Sequence, residues 1–301
     1  MIFDSKSDAL SLPTSSQPLL TDALRAQMEN YIALPAGADW TPLSGGRTNK
    51  IWKVDAPGKA LVVKLFSGYD RNPLFPNDGA SEAKVLRALD GTGIAPSLVG
   101  TVETSLGFCI VYEHVAGHSW RTGAAKVASV LTQLHSMSVR PDLRTILSGS
   151  DAIQAKTETI LSGCSDPKAA RIFAMKPSMI VAPLSDGCLI HGDVVPNNVI
   201  VSNEGLRLID WQCPSIGDPC EDIAVFLSPA MQSLYGGAGL SSVEYRDFLG
   251  AYKNRKVSER YNQLAPWFHW RMAAYCLWKA ERGAADYADA MLLELAALEQ
   301  S

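Results

Sequence analysis

Apolar residues recur at three- and four-residue intervals over residues 19–34 and then give way to short apolar runs at 39–43, 51–54 and 61–66. The first pattern is that of one helix face; the second, bounded by Gly-rich or Asp-Ala-Pro-Gly turns, is that of β-strands. Residues 79–89 return to helical spacing, and two further strands are expected near 97–102 and 108–113. The order β-β-β-α-β-β predicts a small, mostly antiparallel sheet carrying one helix. After residue 117 the character changes. Residues 122–135, 151–161, 168–181, 243–252 and 259–298 are rich in Ala and Leu and helix-like, and only 188–209 breaks them with short strand-like runs. We therefore expect an α+β protein in two lobes. Residues 1–38 form a tail and a helix, 39–116 a β-rich lobe, and 117–301 a larger helical lobe, with a junction of the kind that binds small ligands.

Composition narrows the class. With 47% hydrophobic and 19% charged residues among 301, the chain reads as globular rather than disordered. Its 27 basic and 31 acidic side chains give a formal charge of −4, without the basic footprint of a nucleic-acid binder. No signal-peptide pattern opens the chain, and no apolar stretch is long enough for a membrane span. Six cysteines are scattered without a C-x-x-C pair, which reads as reduced thiols rather than a zinc site and suggests the cytoplasm.

Candidate chemistry concentrates in IHGDVVPNNVIVSNEGLRLIDW, residues 190–211. His191, Asp193, Asn198 and Asp210 fall in two loops flanking a hairpin that turns at 203–205, so Asp210 returns to the end where Asn198 lies. Two oxygen-bearing side chains converging there suit Mg2+. Asp193 is left to accept the proton of an attacking hydroxyl. This is the H-x-D-x-x-x-x-N arrangement of kinases, with a downstream metal-binding Asp. His191 reads as a scaffold residue, and Asp222 as a helix cap or a brace for the catalytic loop.

With IDW at 209–211 and GDP-x-x-D-I-A at 217–224, the chain resembles the aminoglycoside phosphotransferase and choline kinase superfamily, within the protein-kinase-like fold. The resemblance implies a strand lysine paired with a helix glutamate, and Lys64 and Glu82 stand where these are expected. It implies ATP and Mg2+ as cofactors. It also implies a phosphate-approaching loop at 44–50, SGGRTNK, with Gly45, Gly46, Thr48 and Asn49, a wording similar to the choline and ethanolamine kinase branch. The adenine would lie at the hinge, near the backbone of Glu113 and Val115, between Val62, Ile110 and Ile209. The acceptor would be a small alcohol, most simply a cationic one such as choline or ethanolamine, held by Asp218 and by Trp267, Trp270 and Trp278 through cation–π contacts. Thiamine, an aminoglycoside or a sugar are open alternatives, as is a nucleotide-binding pseudokinase. The oligomeric state is not encoded in any pattern of the chain.

Overall fold

In a computed structural model, residues 22–32, 38–43, 48–66 and 72–301 are described. Helix α1 (Asp22–Tyr31) precedes three antiparallel strands, β1 (Asp39–Pro42), β2 (Lys50–Ala56) and β3 (Lys59–Phe66). Helix α2 (Gly79–Ala88) and strands β4 (Leu98–Thr104) and β5 (Gly107–Glu113) follow, and the sheet order is β1-β2-β3-β5-β4. The two-residue period of a strand splits this sheet into two faces. Leu61, Val63 and Leu65 of β3 join Cys109 and Val111 of β5 in a core closed by Leu24 and Met28 of α1. On the opposite face Val62, Ile110 and Tyr112 join the main core, which runs through α2 into the helical lobe. Lys64, two residues from Val62, therefore points at the interlobe cleft.

The second lobe begins with β6 (His118–Ser119), α3 (Ala124–His135), α4 (Ser150–Ser162) and α5 (Lys168–Ala174). Then come β7 (Cys188–Ile190), β8 (Val199–Ser202), β9 (Gly205–Leu208) and β10 (Ser215–Gly217). Five helices close it: α6 (Cys220–Leu227), α7 (Pro229–Gly236), α8 (Ser242–Ala251), α9 (Arg255–Ala280) and α10 (Asp286–Glu299). Strands β6, β8 and β9 form one small sheet, and β7 pairs with β10 in another. The α+β, two-lobed expectation holds.

Three departures from the sequence pattern have simple causes. The helix expected over 168–181 ends at Ala174, because Pro177 disfavours helical backbone in the residue before it and cannot donate within a helix. The span 259–298 is two helices, broken where Gly283 takes φ +93°, a helix-ending conformation cheap only for glycine. Helix α7 was absent from the hydrophobic pattern, although its start is well marked: the Ser228 side chain accepts from Met231 N–H and Pro229 occupies the first turn. The loop of Gly45 and Gly46 and the first 21 residues lie outside the described residues. No helix among the described residues is long and apolar enough to cross a membrane.

Candidate active site

The hairpin of β8 and β9 sets the geometry. Val199 pairs with Leu208, and Ile209 N–H donates to the Asn198 carbonyl at 2.9 Å, so the chain leaves β9 beside Asn198. Asp210 then takes φ +62°, the one positive φ of a non-glycine among the described residues. Side chains other than glycine disfavour this backbone, and such strain gathers at functional sites. Across the cleft, Lys64 is fully buried and its Nζ meets Glu82 Oε2 at 2.6 Å and Asp210 Oδ1 at 2.5 Å. Burial presses on its pKa from one side, but the Asp210 and Glu82 carboxylates outweigh it and hold the ammonium protonated well above its ordinary range. Burial raises the Glu82 carboxyl to about 7 despite the Lys64 charge. A buried lysine without such partners would be strongly destabilising, so the pair explains how β3 carries a buried charge.

Asp193 lies on the loop between β7 and the 3-10 turn Pro196–Asn198. Asn198 Nδ2 donates to the Asp193 carbonyl at 2.9 Å and to its Oδ2 at 3.3 Å. Burial, followed by the nearby Asp210 charge, pushes the Asp193 carboxyl up to about 7. The loop is held from behind. Asp222, fully buried, accepts from the backbone N–H of His191 at 2.8 Å and of Gly192 at 2.7 Å, and from His135 Nε2 at 3.0 Å. Its pKa is lowered: burial opposes ionisation, but the His135 hydrogen bond and charge and the Gly192 N–H outweigh it. His191 is buried against Trp211 and bonds Ile209 O through Nε2 at 3.0 Å; burial lowers its pKa. Both are thus placed behind the loop, away from any reacting group. Gly192 takes φ +83°, and a Cβ there would stand 2.4 Å from Cys213 O.

Two cavities meet at this point. One, of about 380 Å³, is lined by Val62, His114, Val115, Ile200, Ile209, Asn198 and Asp210. The other is a narrower cleft lined by Thr48, Asn49, Phe75, Asp193, Asn198, Asp210, Gln212, Tyr275 and Lys279. Asn198 and Asp210 belong to both. They offer an amide and a carboxylate, hard oxygen donors that fit a divalent cation at the junction, and the Asn198 Nδ2 is already committed to Asp193, which leaves its oxygen as the free group.

Several expected contacts are not made. Ile110 is core and not cavity wall, and Glu113 spends its N–H on Ser97 O and stands outside the larger cavity. Asp218 does not face a substrate: it is buried, caps Cys220 N–H at 3.0 Å and pairs with Arg260 at 2.7 Å. Trp267 and Trp270 are also corrected, because both are core residues whose indole N–H groups donate to Met179 O at 2.8 Å and Ile172 O at 2.6 Å. Trp278 is half-buried outside the cleft lining and stacks on Tyr275 at 6.1 Å. Of the aromatic rings on α9, Tyr275 lines the cleft, where Asn72 Nδ2 donates to its hydroxyl at 2.9 Å.

Gln212 was missed from sequence. Its Oε1 accepts from Asn49 Nδ2 at 3.3 Å, and its Nε2 approaches Asp193 Oδ2 at 3.5 Å, while Asn49 and Asn77 exchange amide bonds at 2.8 and 2.9 Å. This polar chain links Asn49, just before β2, to Asp193. Its only sequence signal was adjacency to the Asp-Trp pair.

A small antiparallel sheet bearing a Lys–Glu pair, set over a helical lobe with an Asp loop and an Asn/Asp hairpin, defines the protein-kinase-like class of fold. The phosphotransferase enzyme family is matched over residues 39–267, more than half of the chain, and the chain belongs to that family. Among solved structures it is similar to a choline/ethanolamine kinase family protein from Mesorhizobium loti, with 18% identity, 92% of this chain and 95% of that one covered, and a TM-score of 0.63. Aminoglycoside phosphotransferase APH(4)-Ia matches with 14% identity, 92% and 98% coverage and a TM-score of 0.66. Spectinomycin phosphotransferase APH(9)-Ia, in complex with ADP and spectinomycin, matches with 16% identity, 92% and 94% coverage and a TM-score of 0.58. At such identities the likeness is one of fold. No curated protein sequence matches the chain.

Proposed function

We propose that this protein is an ATP-dependent kinase that phosphorylates a hydroxyl of a small molecule, with Asp193 as base. The observation that carries this reading is the convergence of Lys64, Asp193, Asn198 and Asp210 where the two cavities join. ATP would occupy the larger cavity, its purine between Val62 and Ile209 near the backbone of Val115. Thr48, Asn49 and the loop of Gly45 and Gly46 would then approach its phosphates, as Lys64 would through its ammonium. Asn198 and Asp210 would hold Mg2+, which supplies charge neutralisation for the phosphoryl oxygens. Asp193 orients the acceptor hydroxyl and takes its proton. The hydroxyl oxygen bonds to the γ-phosphorus as the bond from phosphorus to the bridging β–γ oxygen breaks, and ADP leaves.

The acceptor side is less tied to the motif. Rings of Phe75, Tyr235, Tyr275 and Tyr287 line the narrower cleft, which supports an amino alcohol through cation–π contact. Charge adds little to that reading: among the described residues lining the cleft the carboxylates are Asp193 and Asp210, Asp210 is paired with Lys64, and Lys279 stands among the rings. The function is tested by ADP release from Mg-ATP across a panel of small alcohols. Acceptor-dependent release in the wild type, reduced roughly 100- to 10,000-fold by Asp193→Ala with nucleotide binding intact, is expected. Turnover retained in Asp193→Ala would remove the base assignment.

A further inference from the structure

A third cavity lies against the back of the catalytic loop and has no part in the scheme above. It measures about 350 Å³ and runs between α4, α6, α9 and the segment 144–147. Gly192, next to Asp193, forms part of its wall, and Phe75 lines both this cavity and the cleft that contains Asp193. Size and position are those of a small-molecule site.

Its chemistry is specific. Leu74, Phe75, Ile153, Ile190 and Val225 make an apolar interior, and Leu147, 83% exposed, stands at its wall. The charged residues lining it, among those described, are Arg144, Lys156, Arg271 and Glu221. Glu221 is already spoken for: Arg271 grips it with two guanidinium nitrogens, at 3.0 and 2.5 Å. Arg144 and Lys156 have no ion-pair partner among the described residues, so the cavity carries an excess of positive charge. The crowding is felt by Lys156, whose pKa is lowered first by burial and then by Arg144 and Arg271. Two of the lining residues, Ser215 and Arg271, also carry a buried polar atom each, Oγ and Nε, with no hydrogen-bond partner.

We infer that this cavity holds the body of the acceptor and that the acceptor carries a carboxylate on an apolar frame, with the anion at Arg144 and Lys156 and its hydroxyl reaching past Phe75 to Asp193. The inference rests on the kinase reading and narrows its substrate class. A cationic group is disfavoured in this cavity on the same ground: an ammonium would meet two unpaired cations, and Glu221, the one carboxylate among the described residues that line it, is taken.

Calorimetric titration tests this without turnover. The probes are para-hydroxymethylbenzoate and omega-hydroxyhexanoate, against para-hydroxymethylbenzylamine and aminohexanol, each with and without Mg-AMP-PNP. The carboxylates should bind the wild type about tenfold or more tightly than the matching amines. Lys156→Glu, at a position on α4 that lines the cavity mouth, should erase that preference while Lys156→Arg keeps it. Absence of carboxylate binding, equal or better binding of the amines, or a preference unchanged in Lys156→Glu would each overturn the inference. Failure of the kinase reading is separately visible as failure of AMP-PNP itself to bind.

Discussion

Asp193 shows most directly how surroundings set the chemistry of one side chain. Its carboxyl is raised to about 7 by burial and by Asp210, against about 3.9 for an unperturbed aspartate. As a base it must be ionised, so kcat/KM should climb with pH to a plateau, with a midpoint near 7. A flat profile between about pH 5 and 9 would contradict the assignment. The same shift acts on stability. The folded protein holds this proton more tightly than the unfolded chain, so ionisation penalises the fold. The penalty is absent below about pH 4, grows between about 4 and 7, and is complete above. Asp193→Asn should therefore raise the Tm at about pH 8 and leave it near the wild-type value at about pH 4. An equal gain at both pH values would indicate a different cause. None of this magnitude is legible in sequence, which names the residue but not the burial or the distance to Asp210.

Among the elements, the hairpin and α9 mark the extremes of legibility. Asn198 and Asp210 could be brought together on paper because a two-strand hairpin has a fixed register and a marked turn. Lys64 and Glu82 were readable only through the family resemblance, because β3 and α2 also carry Lys59, Lys84 and Arg87 and a lone strand lysine is ordinarily a surface residue. Helix α9 was not. Its rings at 267, 270, 275 and 278 share nearby faces of one helix, and spacing alone does not say which face meets core. The structure turns Trp267 and Trp270 inward, each with its indole N–H satisfied by a backbone carbonyl, and gives the cleft to Tyr275 and Lys279. Trp270→Ala should accordingly cost about 3–5 kcal/mol of stability, as truncation of a buried aromatic does. Thermal unfolding measures that cost. The Michaelis constant for the acceptor should stay unchanged below the transition, and a raised constant with normal stability would return Trp270 to the pocket. Asp218 misled in the same way, since a buried cap and a cleft carboxylate look identical in the Gly-Asp-Pro run.

At the scale of the whole molecule, the candidate site residues come from both lobes, and this explains why the architecture was readable. Lys64 and Glu82 belong to the sheet lobe; Asp193, Asn198 and Asp210 belong to the helical lobe. Interlobe ties join them: Lys64 to Asp210, Asp78 N–H to Gln212 O at 2.8 Å, and Leu208 N–H to Ile94 O at 2.7 Å. The third cavity has no such signature: it is assembled from residues near 73–75, 144–156, 190–192, 215–225 and 271, which no local motif connects. A ligand seated between the lobes should stabilise both as one unit. Mg-AMP-PNP at about a hundred times its Kd should thus add about 2.7 kcal/mol to unfolding.

The most direct test pairs two readings on one variant: Mg-ATP affinity by calorimetry and acceptor-dependent ADP release, each in wild type and Asp193→Asn. The account predicts nucleotide affinity within about twofold of wild type, because Asp193 lines the narrower cleft and not the larger cavity, together with loss of turnover by roughly 100-fold or more. Undiminished turnover in Asp193→Asn, with the protein folded and nucleotide bound, would contradict it.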